Sequence, residues 1–253
     1  MFFDSSTQRQ IDYQLCRYGK STLLFRGPRQ RIDLRYVAFL GGTETYGKDI
    51  ERPFPQIIES EISVPSLNLG CISGGLEIIL QEPELLRLCN RADATVFQIP
   101  SALTVSNRFY SVRSRRNTIV KEVSQVLSAL YSGSDLQKSQ NVVSLLNQLK
   151  TESESRLSLI LDELAETWTN RMREILRRID NPTILLWLST KEPEDPENYD
   201  LGTSEPLFVN REMLEELRGD VAAIVEVAPD LNSIDQSAHE EAAFTLAPII
   251  ERI

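Results

Sequence analysis

Five short apolar runs punctuate the chain at residues 36–40 (YVAFL), 66–69 (SLNL), 94–99 (ATVFQI), 183–188 (TILLWL) and 221–227 (VAAIVEV). Each has the length of a strand, and several are rich in β-branched or aromatic residues. Their apolarity is continuous rather than alternating, which predicts strands covered on both faces, as in a parallel sheet. Helical patterns lie between them, at 55–62, 82–89, 157–179, 211–217 and 239–250. The longest places Leu157, Ile160, Leu161, Leu164, Trp168, Met172, Ile175 and Leu176 on one stripe of a 3.6-residue period. Strands alternating with helices imply right-handed crossovers. The predicted fold class is a three-layer α/β/α architecture around a five-stranded, mostly parallel, doubly wound sheet of flavodoxin-like type, in one domain spanning 1–253. A helical insertion between strands three and four, at about 111–155, carries two further helical patterns at 120–130 and 142–149 and is expected to flank the sheet. Residues 191–200 (KEPEDPENYD) read as a solvated acidic loop.

Composition narrows the function classes. A chain of 253 residues, 41% hydrophobic and 25% charged, is long enough to bury a sizeable core and has the charge content of a globular protein. The formal net charge of -10 repels phosphate backbones, so no nucleic-acid partner is expected. Three cysteines, Cys16, Cys71 and Cys89, with no CxxC pair, predict reduced thiols rather than a disulfide framework or a zinc cluster. The start of the chain lacks a basic, apolar leader, and no apolar stretch is long enough to span a bilayer. The expectation is a cytoplasmic protein with no membrane partner.

The chemistry concentrates in the turn after the first strand, Gly41-Gly42-Thr43-Glu44-Thr45-Tyr46-Gly47-Lys48. Ligands of doubly wound sheets sit beyond the carboxyl ends of the strands, and the glycines permit a sharp turn that presents the Thr43 hydroxyl there. Gly42 to Gly47-Lys48-Asp49 also nearly fits a P-loop, but Asp49 stands where a magnesium-binding Ser or Thr is required. A phosphate-binding loop is therefore the weakest reading of the turn. Glu44 with Lys48, and Glu240 with Glu241, are explained as helix-surface charges.

The same turn resembles the first block of the SGNH (GDSL-type) hydrolases, in which a strand ends in Gly-Asp-Ser-x-Thr-x-Gly. Gly41, Thr43, Thr45 and Gly47 match its first glycine, nucleophile, threonine and last glycine, while Gly42 replaces the aspartate and Thr43 the serine. Asn68-Leu69-Gly70-Cys71-Ile72-Ser73-Gly74 is similar to the second block, Asn-x-Gly-x-Ser-Gly, with one extra residue. The third, Gly-x-Asn-Asp, is replaced by Pro100-Ser101-Ala102-Leu103-Thr104-Val105-Ser106-Asn107. The fourth, Asp-x-x-His, is matched by Asp235 and the chain's only histidine, His239, one residue wider. Over its whole length the chain also resembles a bacterial SGNH-like family sharing Phe-Leu-Gly-Gly-[Ser/Thr]-Glu-Thr-Tyr-Gly and Ser-Asn-Arg-Phe-Tyr.

The resemblance implies a hydrolase or acyl-transfer enzyme acting on an ester without metal or organic cofactor. Thr43 would be the nucleophile, His239 the base and Asp235 its orienter. Gly42, Thr45 and either Gly74 or Gly70 would line the substrate site with Asn107 or Thr104, and a glycine N–H and the Asn107 carboxamide would bind the oxyanion. A threonine nucleophile carries an extra methyl that crowds the attacked carbonyl, and Thr43 can equally be a helix cap. The alternative is thus a catalytically inactive SGNH-like module that binds an anionic saccharide or a protein partner. Arg108, Arg113, Arg115 and Arg116 cluster in NRFYSVRSRRN, just after the third strand. They mark an anionic small-molecule or saccharide substrate, unless they are neutralised by surface carboxylates.

Overall fold

The computed structural model describes residues 11–136, 140–194, 206–229 and 232–253. Five strands, β1 (Val37–Gly41), β2 (Ser66–Gly70), β3 (Ala94–Gln98), β6 (Thr183–Leu188) and β7 (Ala223–Val227), form an all-parallel sheet in the order β2-β1-β3-β6-β7. This is the 2-1-3-4-5 order of a doubly wound sheet. The intervening pair β4 (Tyr110–Arg113) and β5 (Arg116–Val123) makes a separate antiparallel hairpin.

The strands β1, β2, β3 and β6 show no alternation because their side chains are buried whichever way they point, whereas the edge strand β7 leaves Glu226 exposed. Val37, Phe39, Val96, Ile184, Leu186 and Val225 face one layer, made by α2 (Phe54–Ile62) and α9 (Gln236–Ile250). Ala38, Leu40, Leu67, Phe97, Leu185 and Trp187 face the other, where α3 (Leu76–Gln81), α4 (Pro83–Cys89), α7 (Glu154–Leu176) and α8 (Arg211–Glu215) pack. The helix α7 begins at Ser153, whose hydroxyl caps it by accepting from the Arg156 N–H, and buries the expected stripe. Its Trp168 donates Nε1–H to the Pro100 carbonyl at 2.9 Å, fixing the long helix to the end of β3.

The segment 120–130 is not one helix. Val120, Glu122 and Val123 pair as β5 against Val112, Ser111 and Tyr110 of β4, and the helix α5 (Gln125–Leu130) starts only after Ser124, which caps it. The β-branched run favours a half-buried strand once a partner strand lies alongside. Helix α6 (Val142–Glu152) then leads into α7. Two smaller differences concern α3, which the sequence pattern does not pick out, and β7, which starts at Ala223 after a turn of 3-10 helix at Arg218–Asp220. Of the acidic loop, residues 195–200 lie outside the described residues. No helix among the described residues is long and apolar enough to cross a membrane.

Candidate functional site

The carboxyl ends of β1 and β2 finish on paired glycines, Gly41 opposite Gly70. That pair makes room for α1 (Thr43–Tyr46), a single turn lying directly on the sheet edge. A Cβ on Gly70 would lie 2.2 Å from the Tyr46 amide nitrogen, and one on Gly41 would lie 2.1 Å from Thr45 Oγ1. The turn is held from below by Gln98, the last residue of β3. Its Oε1 accepts from the Gly42 N–H (3.2 Å), the Thr45 N–H (3.0 Å) and the Thr45 hydroxyl (2.6 Å). Asn68 ties the same turn to β2, donating Nδ2–H to the Thr45 carbonyl at 2.7 Å. Thr45 is therefore a buried structural residue of the turn, not a substrate contact.

Thr43 stands half-buried above this framework, and its Oγ1 accepts from the Ser73 N–H at 3.1 Å. Ser73 is held at φ +52° in the loop after β2, and its carbonyl accepts from the Asn117 N–H at 3.3 Å. Thr43, Ser73 and the start of β5 thus form one continuous rim. The Asn117 residue is only 6% exposed, and its side chain makes no hydrogen bond among the described residues. Its Nδ2 lies 2.5 Å from where a Cβ on Gly75 would be, so a side chain at 75 would push the carboxamide from this position; Thr104 Oγ1 lies 3.4 Å from the same point. The Asn117 carboxamide therefore adds a donor and an acceptor to the rim beside Thr43 and Ser73.

The residues expected to make the catalytic machinery are committed elsewhere. His239 is fully buried, its ring stacked on Phe54 at 5.7 Å between centroids. Its Nδ1 accepts the Phe54 N–H at 3.1 Å, at the start of α2. The proton of the neutral ring must then sit on Nε2, which is 4.0 Å from Glu44 Oε2 and has no hydrogen-bond partner. Thr43 Oγ1 is therefore not within hydrogen-bonding distance of the imidazole. Asp235 does not orient the ring. It caps α9, its Oδ1 accepting from the Ser237 and Ala238 N–H groups and the Ser237 hydroxyl, and these bonds hold its carboxyl below the usual carboxylate range. Placed in the first turn of α9, His239 is drawn into the interface with α2 rather than out to the sheet edge.

The oxyanion donors differ from expectation in the same way. The Gly70 N–H donates to Asn68 Oδ1 (2.9 Å), the Gly74 N–H to the Cys71 carbonyl (2.8 Å) and the Gly42 N–H to Gln98. Asn107 folds its side chain onto its own loop, accepting from the Phe109 and Tyr110 N–H groups and donating to the Val105 carbonyl. Nor is the turn a phosphate cradle. The carbonyls of Gly47, Ile50 and Glu51 turn toward Arg26, whose guanidinium binds all three, whereas a P-loop turns N–H groups inward. Cys71, next to the rim, is no thiolate nucleophile, because burial pushes its thiol up to about 12. No group of three metal-ligating side chains occurs among the described residues.

The arginine cluster divides. Arg108 pairs with Glu163 at 2.9 Å and covers the Phe109 ring. Arg113, Arg115 and Arg116 stand exposed on the hairpin and form no ion pair among the described residues, although Arg115 donates to Thr22 Oγ1. The hairpin carrying them docks on α3, where Glu77 Oε1 accepts the Ser106 N–H and Ser106 Oγ accepts the Val112 N–H. Three uncompensated cations therefore flank the Asn117 end of the rim.

Sequence reasoning missed Gln98 and Asn117, and it read Glu44 as a helix-surface charge, whereas its carboxylate is partly buried 4.0 Å from His239 Nε2. Gln98 had a signal, being, like Asn68, a polar amide near the end of an apolar strand. Asn117 had none, since its place depends on the hairpin.

Burial also sets the protonation of the imidazole. Desolvation, with a smaller push from Arg26, lowers the His239 pKa from 6.5 to about 4. The folded state then binds fewer protons than the unfolded chain between those values, so stability present above pH 6.5 is lost as the pH falls toward 4. The gap corresponds to about 3 kcal/mol. Glu44, whose pKa burial raises, acts with opposite sign, so the comparison is made against His239→Asn, which keeps an acceptor for Phe54 without the titration. Urea unfolding between pH 7 and 4 should show the wild type losing about 2–3 kcal/mol more than this variant; parallel curves would remove the argument.

No match to a curated protein is found. The family described as a domain of unknown function (DUF6473) matches residues 1–252, and the chain belongs to that family.

Proposed function

We propose that this chain is an SGNH-like module that binds an anionic small molecule, of saccharide type, at the carboxyl edge of its sheet, without hydrolysing it through a Thr-His-Asp triad. The observation that carries this reading is the placement of His239. Its Nδ1 lone pair is occupied by the Phe54 amide and its ring is sealed from solvent, so the imidazole cannot take the Thr43 proton. What remains at the edge is suited to recognition. Thr43 Oγ1 still has its hydrogen to donate, the Asn117 carboxamide has open donor and acceptor positions, and Arg113, Arg115 and Arg116 supply positive charge. Sugar hydroxyls fit the first two groups and a carboxylate or sulfate fits the third.

The test has two arms. With p-nitrophenyl acetate the wild type should show no turnover above background, and Thr43→Val should change nothing. With short galacturonate and sulfated-galactose oligosaccharides, thermal shift should report stabilisation by at least one of them, lost in Arg113→Ala/Arg116→Ala and reduced in Asn117→Ala. An esterase rate that Thr43→Val abolishes would overturn the reading in favour of the hydrolase.

A further inference from the structure

On the far side of α2 and α9 from the sheet, the two helices leave a groove of about 840 Å³. Its floor is apolar, with Ile57 and Ile62 from α2 and Phe244 and Ala247 from α9. Phe244 is 84% exposed, the largest exposure among the exposed large hydrophobic residues described. Its rim is acidic. Glu61, Glu240, Glu241 and Glu251 line it and form no ion pair among the described residues, and Arg52 is its one cation. Residues 240, 241, 244, 247, 248 and 251 recur at helical spacing, so α9 presents a continuous outer stripe, aromatic in the middle and charged at both ends. Apart from the buried Ala247, no described residue covers that stripe. The inner face of the helix, with Ala242, Ala243, Leu246 and Ile250, already meets the sheet.

We propose that this groove docks an amphipathic, basic helix of a partner protein. A trough between two helices accepts a third helix, with apolar anchors at i, i+3, i+4 and i+7 on the floor. Charge decides the occupant. A second copy in a two-fold interface would set the same carboxylates against each other with no compensating cation beyond Arg52. An anionic membrane surface is repelled for the same reason. Lysines or arginines flanking the apolar stripe of an incoming helix meet all four carboxylates, and Phe244 enters its apolar face as an anchor.

The probe is a fluorescein-labelled 18-residue peptide of leucine and lysine, with leucines at helical spacing, followed by anisotropy against the full chain at about physiological ionic strength. Binding should be weakened about tenfold or more by Phe244→Ala and by Glu240→Lys/Glu241→Lys, both fully surface changes. The charge-matched control Glu122→Lys/Glu154→Lys, on exposed residues away from the groove, should leave affinity unchanged. Equal weakening by the control would reduce the effect to net charge and overturn the proposal, as would insensitivity to Phe244→Ala or equal binding of a leucine–glutamate peptide. Self-association of the chain that Phe244→Ala abolishes would assign the groove to a second copy instead. None of these outcomes depends on the rim around Thr43, so the two readings fail separately.

Discussion

Replacing Gln98 with leucine should destabilise the fold by about 3–5 kcal/mol, because three donors lose their one acceptor at once. The Thr45 N–H and hydroxyl are buried and the Gly42 N–H nearly so, and water cannot reach them without lifting α1 from the sheet. Each orphaned buried donor costs roughly 1–3 kcal/mol, offset in part by the added apolar contact of leucine. Gln98→Glu keeps acceptor oxygens for all three groups and should retain more of the stability. Urea denaturation reports this as a lowered midpoint at nearly constant slope. Equal midpoints for the leucine and glutamate variants would show that the hydrogen bonds to Oε1 are not what holds the turn. The functional consequence follows from position. The turn carries Thr43, so the leucine variant should lose oligosaccharide binding before it loses its secondary structure.

Gly70→Ala should cost at least about 3 kcal/mol, through overlap that has no side-chain escape. The added methyl would lie 2.2 Å from Tyr46 N, 2.6 Å from Tyr46 Cα and 2.7 Å from Thr45 C, and all three are backbone atoms. Relief requires either that β2 part from β1 at the Gly41–Gly70 pair or that α1 move outward, which breaks the bonds to Gln98 and Asn68. Gly219→Ala is the contrast. Nothing lies within 4 Å of its Cβ position, and its effect should stay within about 0.5 kcal/mol. The pair of variants, compared by unfolding midpoint, separates steric closure at the sheet edge from the general entropic effect of removing a glycine. A Gly70→Ala protein as stable as the Gly219→Ala protein would mean that the turn can be carried higher above the sheet than the contact allows.

The chain's pattern of hydrophobic positions was sufficient for the architecture. Residues 36–40, 94–99 and 183–188 are apolar apart from Thr95, Gln98 and Thr183 because both faces of each strand are covered, and that demand is written locally, residue by residue. The long stripe from Leu157 to Leu176 is legible for the same reason, since burial along one helix repeats within a few residues. The hairpin was misread where the local signal is ambiguous: Thr118 to Val123 satisfies either a helix or a strand until Tyr110–Arg113 lies beside it.

The site was decided by contacts that no local pattern encodes. Glycines, a threonine turn and a histidine ahead of an apolar helix were visible in the sequence, but their hydrogen-bond partners were not. Thr45 meets Gln98 across 53 positions, and His239 meets the Phe54 amide across 185. Asp235 and His239 lie close in sequence, yet the first turn of α9 gives the carboxylate to backbone N–H groups and the imidazole to the α2 interface. The sequence by itself determined most of the strands and helices, and that a glycine-rich turn follows the first strand. Only the tertiary structure decided what each polar group there is free to do, because a donor or acceptor once buried must take whichever partner packing brings within about 3 Å.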